Sequence, residues 1–439
     1  MNTNKKTLGQ LFVPICFETL FYMLAGIVDT LMLSSVSDQA VGAVGTANTY
    51  IGMFIIMFSV ISTGMMAVMT QNIGANKPEI AYQARQIGVA FNTTLGILLG
   101  AILFFGSSAI LSIVGIADSL RAPAESYLQI VGGCCFFNAL IPIFSGYLRA
   151  FGFVQPPLIA TMIANVLNLI LNAVFLFVYD MGVVGVAIAT VISKLVNLVI
   201  ICIASCILIK IKENSYRLPS KEILKQIIQI GFPSALESAL YNVAMTLMIR
   251  FLNQMDAEGL NVTARSYTSQ VTNFSYCIAA ALAQANAIMT GWRIGAHDLD
   301  ACDKGTKKAA LIGIVVSVFI SATFALCSDS IMTLFSDDPK VIALVGKLLW
   351  IDILLEMGRS ANLIFGTALK TSGDAVFPVI LAAIFMFLCA VGGTYFFGIH
   401  MGLMAVGAYI GLAMDECIRA IGMFLRWQTG KWRTTGVIQ

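Results

Sequence analysis

Residues 14–22 read PICFETLFY and residues 233–241 read PSALESALY, 219 positions later. In both strings Glu follows Pro by four residues and Tyr follows it by eight. The first string opens an apolar segment that continues without a break through MLAGIVDTLMLS to Ser34. The correspondence extends along the chain: NIGA (72–75) meets RIGA (293–296), and LRAFG (148–152) meets LKTSG (369–373), with Pro157 and Pro378 at matching distances. Met181-Gly182 then meets Met401-Gly402. Ordered matches at offsets held within 219–221 are the signature of an internal duplication. The 439 residues are therefore predicted to form two halves, 1–214 and 215–439.

Composition fixes the solvent of those halves. The chain is 58% hydrophobic and only 11% charged, whereas a water-soluble domain carries about 25% charged residues. So few charges do not cover a water-facing surface of normal size, and the surface is predicted to face lipid. A spanning helix needs about 20 mainly apolar residues. The spacing predicts twelve, at 8–34, 44–72, 84–114, 122–148, 157–179, 183–211, 229–256, 262–292, 307–335, 341–369, 375–398 and 402–427. Six per half makes both halves enter the membrane from the same side, as parallel repeats about an axis along the membrane normal.

Of 26 Lys and Arg residues, 18 fall in the tails and loops on the amino-terminal side, two (Arg121 and Lys340) in loops on the other, and six within helices. Basic loops stay inside, so both termini are expected in the cytoplasm, with the chain a multi-pass protein of the inner or plasma membrane. The first apolar segment is too long for a signal peptide and no A-x-A site follows it, so it is expected to remain as helix 1. A net charge of +3 with no basic run argues against a nucleic-acid partner. The ten cysteines lie mostly in apolar segments without a C-x-x-C pair, and the two histidines, His297 and His400, fall in predicted loops, so no zinc site is expected. No G-x-S-x-G, HExxH or Walker A string occurs, and an enzyme is not expected.

Charges inside spanning helices are costly and mark function. Asp29 on helix 1, Asn168 and Asn172 on helix 5 and Thr190 on helix 6 are predicted at one depth of the outer leaflet. Oxygen-bearing side chains at one level suit a Na⁺ ion, or a carboxylate held ready for a proton, and the four are the candidate cation-coupling residues. Glu18 and its repeat partner Glu237 are open to two roles, substrate contact or a gate bond on the cytoplasmic side. Helix 10 carries Asp352, Glu356, Arg359 and Asn362 on one face, and helix 12 carries Asp415, Glu416 and Arg419. Asp352, Glu356 and Asp415 are predicted near mid-depth, and pairing Arg359 with Glu356 and Arg419 with Asp415 leaves Asp352 as the unpaired acid among these three. Glu18, Glu237, Tyr241, Asp352, Glu356 and Arg359 are the candidate cavity residues. The 21 Met and 28 Phe suit a cavity that admits varied apolar cations.

GIVDTLML in helix 1, QNIGANKPEIAYQAR after helix 2, LRAFGFVQPP before helix 5, MGVVGVAIATVIS at helix 6, GFPSALESALYN at helix 7, ALKTSGDAVFP before helix 11 and RWQTGKW near the end together resemble the multidrug and toxic compound extrusion (MATE) transporters over nearly the whole chain. The resemblance implies an all-α membrane protein whose two six-helix lobes form a V. It also implies secondary active efflux of small amphipathic organic cations in exchange for H⁺ or Na⁺. Many bacterial members use an Asp on helix 1, N-x-x-x-D on helix 5 and a Thr on helix 6. Asp29, Asn168 and Thr190 match, whereas Asn172 stands where the pattern has Asp. One carboxylate makes a poorer hard-cation cage than two, so H⁺ is the favoured coupling ion, with Na⁺ at Asp29, Asn168 and Thr190 the alternative. The helix 7 acid of the family falls at the position of Tyr241, and here the acid is Glu237. No cofactor is implied, and the expected partners are the bilayer and a small-molecule substrate, with the protein a monomer. The superfamily's flippases for lipid-linked precursors are the second reading. Twelve helices and near-balanced buried charges count against it.

Overall fold

The structure, a computed structural model, describes residues 6–114, 116, 118–210, 220–256, 259–333 and 335–438. The described residues fall into two compact units, Val13–Gly231 and Phe232–Gln439, with Thr7–Phe12 counted in the second. The expected boundary at 214–215 lies outside the described residues.

Helix α1 is Leu8–Ser34, α2 Asp38–Gly74 and α3 Pro78–Phe105. Helix α4 runs from Asp118–Tyr127 through π-helical Leu128–Gly132 to Phe136–Ala150, and α5 is Gln155–Ala173 with a π-helical end at Val174–Val178. Gly182–Leu208 forms α6. Then come α7 Lys221–Met255, α8 Leu260–Gly295, α9 Leu299–Leu326 and α10 Pro339–Thr371. Helix α11 begins at Val376–Phe385 and continues through π-helical Met386–Val391 and Thr394–His400, and Met404–Gln428 is α12. The division between the units falls inside α7.

Several helices start earlier than hydropathy predicts. Helices α2, α3, α7 and α9 begin at residues 38, 78, 221 and 299 rather than 44, 84, 229 and 307. Their first turns are polar and lie beyond the apolar stretch, where local chemistry starts the helix. Ser37 Oγ accepts from Ala40 N at 3.0 Å and Asp298 Oδ1 from Ala301 N at 3.2 Å. Ser220 Oγ accepts from Glu222 N, and Pro78 takes the first turn of α3. Helices α3 and α9 also stop sooner than predicted, at Phe105 and Leu326, and a short helix follows each (Ser107–Val114 and Ser328–Met332).

The duplication is written into the backbone. Asn76 and His297 take left-handed φ of 58° and 57° at equivalent turns, and Gly182 and Gly402 take 53° and 71°. Gly152 and Gly373 take 83° and 96° at the corners before α5 and α11, where a side chain would be strained.

The first unit packs around Leu33, Phe58, Leu103, Leu128 and Leu176. The second packs around Met248, Leu252, Val345, Leu348 and Leu412, with a further cluster of Leu282, Ile364, Phe365, Trp427 and Trp432. Large apolar side chains also stand exposed on the outside, Phe105 at 84% and Leu326 at 73%. Each would cost about 1.5–3 kcal/mol in water, and dozens of them identify a lipid-facing surface. Among the described residues eight helices are long and apolar enough to cross a membrane alone, and α4 joins them if its two parts, bent by 41°, count as one. Helices α8, α10 and α12 do not pass, because each carries polar and charged residues. They pack on one another, with α10 against both α8 and α12, and Asp352, Glu356, Asp415, Glu416 and Arg419 are buried there.

Candidate functional site

In the first unit, α5 presents Asn168 and Asn172 one turn apart. Asn172 Nδ2 donates to Asp29 Oδ1 of α1 at 2.7 Å and to Asn168 Oδ1 at 3.2 Å. Asn172 is fully buried, and its Oδ1 has no hydrogen-bond partner among the described residues. Thr190 donates to Val186 O at 2.9 Å within α6. The Tyr127 hydroxyl hydrogen-bonds Thr190 and Asn48 and lies within electrostatic range of Asp29. Lys194, one turn beyond Thr190, brings an ammonium within electrostatic range of Asp29 and of Cys135. Two more contacts fasten α1 nearer its start. Asn165 Nδ2 donates to Phe21 O at 2.8 Å, and Arg149 Nη2 lies 2.6 Å from Glu18 Oε1.

The arrangement holds one carboxylate beside one ammonium. A hard cation wants several anionic or carbonyl oxygens around it, and Lys194 opposes that charge. Among the described residues no three His, Cys, Asp or Glu side chains come together to hold a metal ion. Proton transfer to and from Asp29 needs neither a cage nor a second acid.

The second unit encloses a cavity of about 530 Å³ lined by α7, α8, α10, α11 and α12. On its walls Lys370 Nζ lies 2.7 Å from Glu237 Oε2. Arg359 contacts Glu356 and lies 3.4 Å from Glu416 Oε1. Arg419 forms a two-pronged pair with Asp415, Nε to Oδ1 at 2.9 Å and Nη2 to Oδ2 at 2.7 Å, and reaches Glu416 at 3.1 Å. Asn362 Nδ2 completes Glu416 by donating to Oε2 at 2.8 Å. Buried pairs are tolerable where hydrogen bonds satisfy the remaining lone pairs, as they do at both oxygens of Asp415 and of Glu416. Asp352 is 1% exposed, lines the cavity and forms no ion pair among the described residues, and its Oδ2 has no hydrogen-bond partner. Tyr241, Tyr276 and Tyr409 supply aromatic surface.

The structure thus bonds Asp29, Asn168 and Asn172 to one another, with Thr190 held apart from them on Tyr127, and gathers Glu237, Tyr241, Asp352 and Arg359 on one cavity with Glu356 behind them. Glu18 belongs to the first unit and is not among the residues that line that cavity. Sequence reasoning passed over Tyr127, Lys194 and Arg265, and over the two bases that meet Glu18 and Glu237. Those bases had a signal: Arg149 and Lys370 hold the same place in LRAFG and LKTSG.

The family model described as MatE matches residues 14–174 and 233–396. The chain is similar to the uncharacterized transporter YisQ of Bacillus subtilis, at 33% identity over 98% of this chain and 96% of that one. It is also similar to a Thermotoga maritima protein named "Probable multidrug resistance protein NorM", at 23% identity over 99% and 94%. Among solved structures, an outward-facing multidrug resistance MATE family transporter of the MOP superfamily superposes with a TM-score of 0.90. That superposition has 19% identity and covers 98% of this chain and 96% of the other, and it shows a shared fold.

Proposed function

Because this chain belongs to the MatE (multidrug and toxic compound extrusion) family of membrane transporters, we propose that it exports small organic compounds in exchange for protons. The observation that carries the reading is the Asp29 carboxylate, bonded to Asn172, which stands where the family pattern has a second acid, and within electrostatic range of the Lys194 ammonium. Lys194 is a tethered cation within electrostatic range of the Asp29 carboxylate, where it would repel a bound Na⁺, and this favours the proton as coupling ion.

Protonation of Asp29 from outside removes the charge toward which both the Asn172 amide and Lys194 are directed. Helix α1 then loses its tie to α5 at this level while Glu18–Arg149 and Asn165–Phe21 still hold it lower down. The helix adjusts about those lower ties, and the change alters the side on which substrate is bound and released. Each proton crossing a 100 mV potential supplies about 2.3 kcal/mol, enough for a modest substrate gradient. The charge-lined cavity of the second unit takes the substrate. The protein works as a monomer with both termini in the cytoplasm, in keeping with the 18-to-2 bias of basic residues.

The test is dye efflux from proteoliposomes containing the full chain, under an imposed pH gradient and then under a Na⁺ gradient at equal pH. Wild-type protein is expected to respond to the first alone, and Asp29→Asn to respond to neither. Full pH-driven efflux by Asp29→Asn, or efflux driven by Na⁺ alone, overturns the assignment.

A further inference from the structure

We infer that the cavity of the second unit selects zwitterionic substrates, with Asp352 receiving the cationic pole and Arg265 the anionic pole of an aromatic compound. The inference rests on the transport reading above and narrows its substrate from amphipathic cations to molecules of both charges.

Most ionised groups around the cavity are already spent on one another. Lys370 is matched by Glu237 and Arg359 by Glu356. Arg419 is matched by Asp415, with Glu416 shared between Arg359 and Arg419. A group held in a hydrogen-bonded pair has little charge to offer a ligand, since recruiting it means breaking the pair. Two groups on the cavity wall remain. Asp352 is buried with an orphaned oxygen, and Arg265 is half-buried with no salt-bridge partner among the described residues. Tyr409, on the same wall, lies within electrostatic range of both side chains.

A purely cationic ligand matches Asp352 but leaves Arg265 unanswered, and an anion does the reverse. Only a ligand carrying both charges answers each free group. The remaining lining suits its body. Tyr241 and Tyr276 offer ring faces, Met245 and Met386 offer adaptable thioethers, and a volume of about 530 Å³ admits a drug-sized molecule.

Three dyes on one xanthene frame separate the cases: rhodamine B, zwitterionic near neutral pH, its ethyl ester, a cation, and fluorescein, an anion. Binding to the full chain in nanodiscs is read by fluorescence anisotropy, and flux is read in proteoliposomes. Wild-type protein is expected to bind rhodamine B at least about tenfold tighter than either other dye. Arg265→Gln should weaken rhodamine B about tenfold while sparing the ester. Asp352→Asn should weaken both rhodamines and spare fluorescein. An ester that binds wild-type protein as tightly as rhodamine B, or an Arg265→Gln protein that keeps the wild-type ranking, overturns the inference. Gradient-driven flux of the ester in that case leaves the efflux reading intact. The expected binding ranking without gradient-driven flux of any dye overturns the efflux reading and leaves the cavity assignment standing.

Discussion

Arg149 Nη2 grips Glu18 Oε1 at 2.6 Å, tying α1 to the corner that ends at Gly152, and Lys370 repeats the bond to Glu237 at 2.7 Å before the corner at Gly373. Both acid and base have been kept through the duplication while Asp29 has Met248 as its counterpart. The pairs belong to the skeleton common to both halves, and Asp29, the proposed coupling acid, belongs to one half alone.

Removing one partner of a largely buried pair leaves the other uncompensated, at a cost of about 3–5 kcal/mol. Glu237→Ala should therefore lower the melting temperature of the detergent-solubilised chain sharply, and adding Lys370→Met should restore more than half of the loss. Both side chains are about one-sixth exposed, at 16% and 17%, so the effect belongs at the lower end of that range. A double variant no more stable than the sum of its singles predicts would show that the pair is not coupled.

Asp256 sits between α7 and α8, outside the membrane. Desolvation acts to raise its pKa, but hydrogen bonds from the backbone and side chain of Asn261 and from the backbone of Leu260 and Gly259 prevail and hold the carboxyl below its usual range. Leu260 N donates to Oδ1 at 2.9 Å and Asn261 N to Oδ2 at 3.0 Å, capping α8. Asn261 in turn accepts from Ala405 N at 3.0 Å, so the cap also steadies the start of α12. Asp256→Ala should cost about 1 kcal/mol as a lost cap. With a folded pKa below the unfolded one, this stabilisation is complete above about pH 4 and fades as pH falls through the lower folded value. The gap in melting temperature between wild type and variant should hold from pH 7 to 5 and narrow below 4. A gap that widens in acid would contradict the sign.

At Gly373, φ is +96°, and an added Cβ would lie 2.2 Å from Thr435 O. Gly373→Ala meets strain of about 1–3 kcal/mol from the dihedral and a clash with a backbone carbonyl that has little room to move. The variant should melt lower and release its carboxyl-terminal end to trypsin faster. Ending the chain at Thr434 removes the clash but not the dihedral strain, so it should return only part of the loss. Full recovery would assign the whole effect to the clash.

Much of this was open to reading along the chain. Apolar length gave the helices, and the constant offset gave the repeat. Local spacing gave the pairs Glu356–Arg359 and Asp415–Arg419, because three or four residues place partners on one helix face. Helix ends were misjudged because hydropathy reports contact with lipid, whereas Ser37, Pro78 and Asp298 start helices through backbone chemistry beyond it. The π-helical register at Leu128–Gly132 leaves no trace in hydropathy. Nor does the approach of Lys194 to Asp29 or the sharing of Glu416 between two arginines, since both depend on how helices distant in sequence are rotated.

Asn172 and Lys194 together set the charge of the first-unit site, and exchanging them should change its ion. With Asp29 and Lys194 ionised, the site is neutral. Asn172→Asp combined with Lys194→Met would give two carboxylates beside the Asn168 and Thr190 oxygens, the donor set a hard monovalent cation prefers. The double variant is expected to acquire efflux driven by a Na⁺ gradient at equal pH, while wild type shows none. Asn172→Asp alone should gain less, because the Lys194 ammonium still competes for the new carboxylate. Proteoliposomes assayed with Na⁺ and again with K⁺ at matched ionic strength separate a specific ion from simple screening. A double variant that folds, retains pH-driven efflux and ignores Na⁺ would mean that these two positions do not decide the coupling ion.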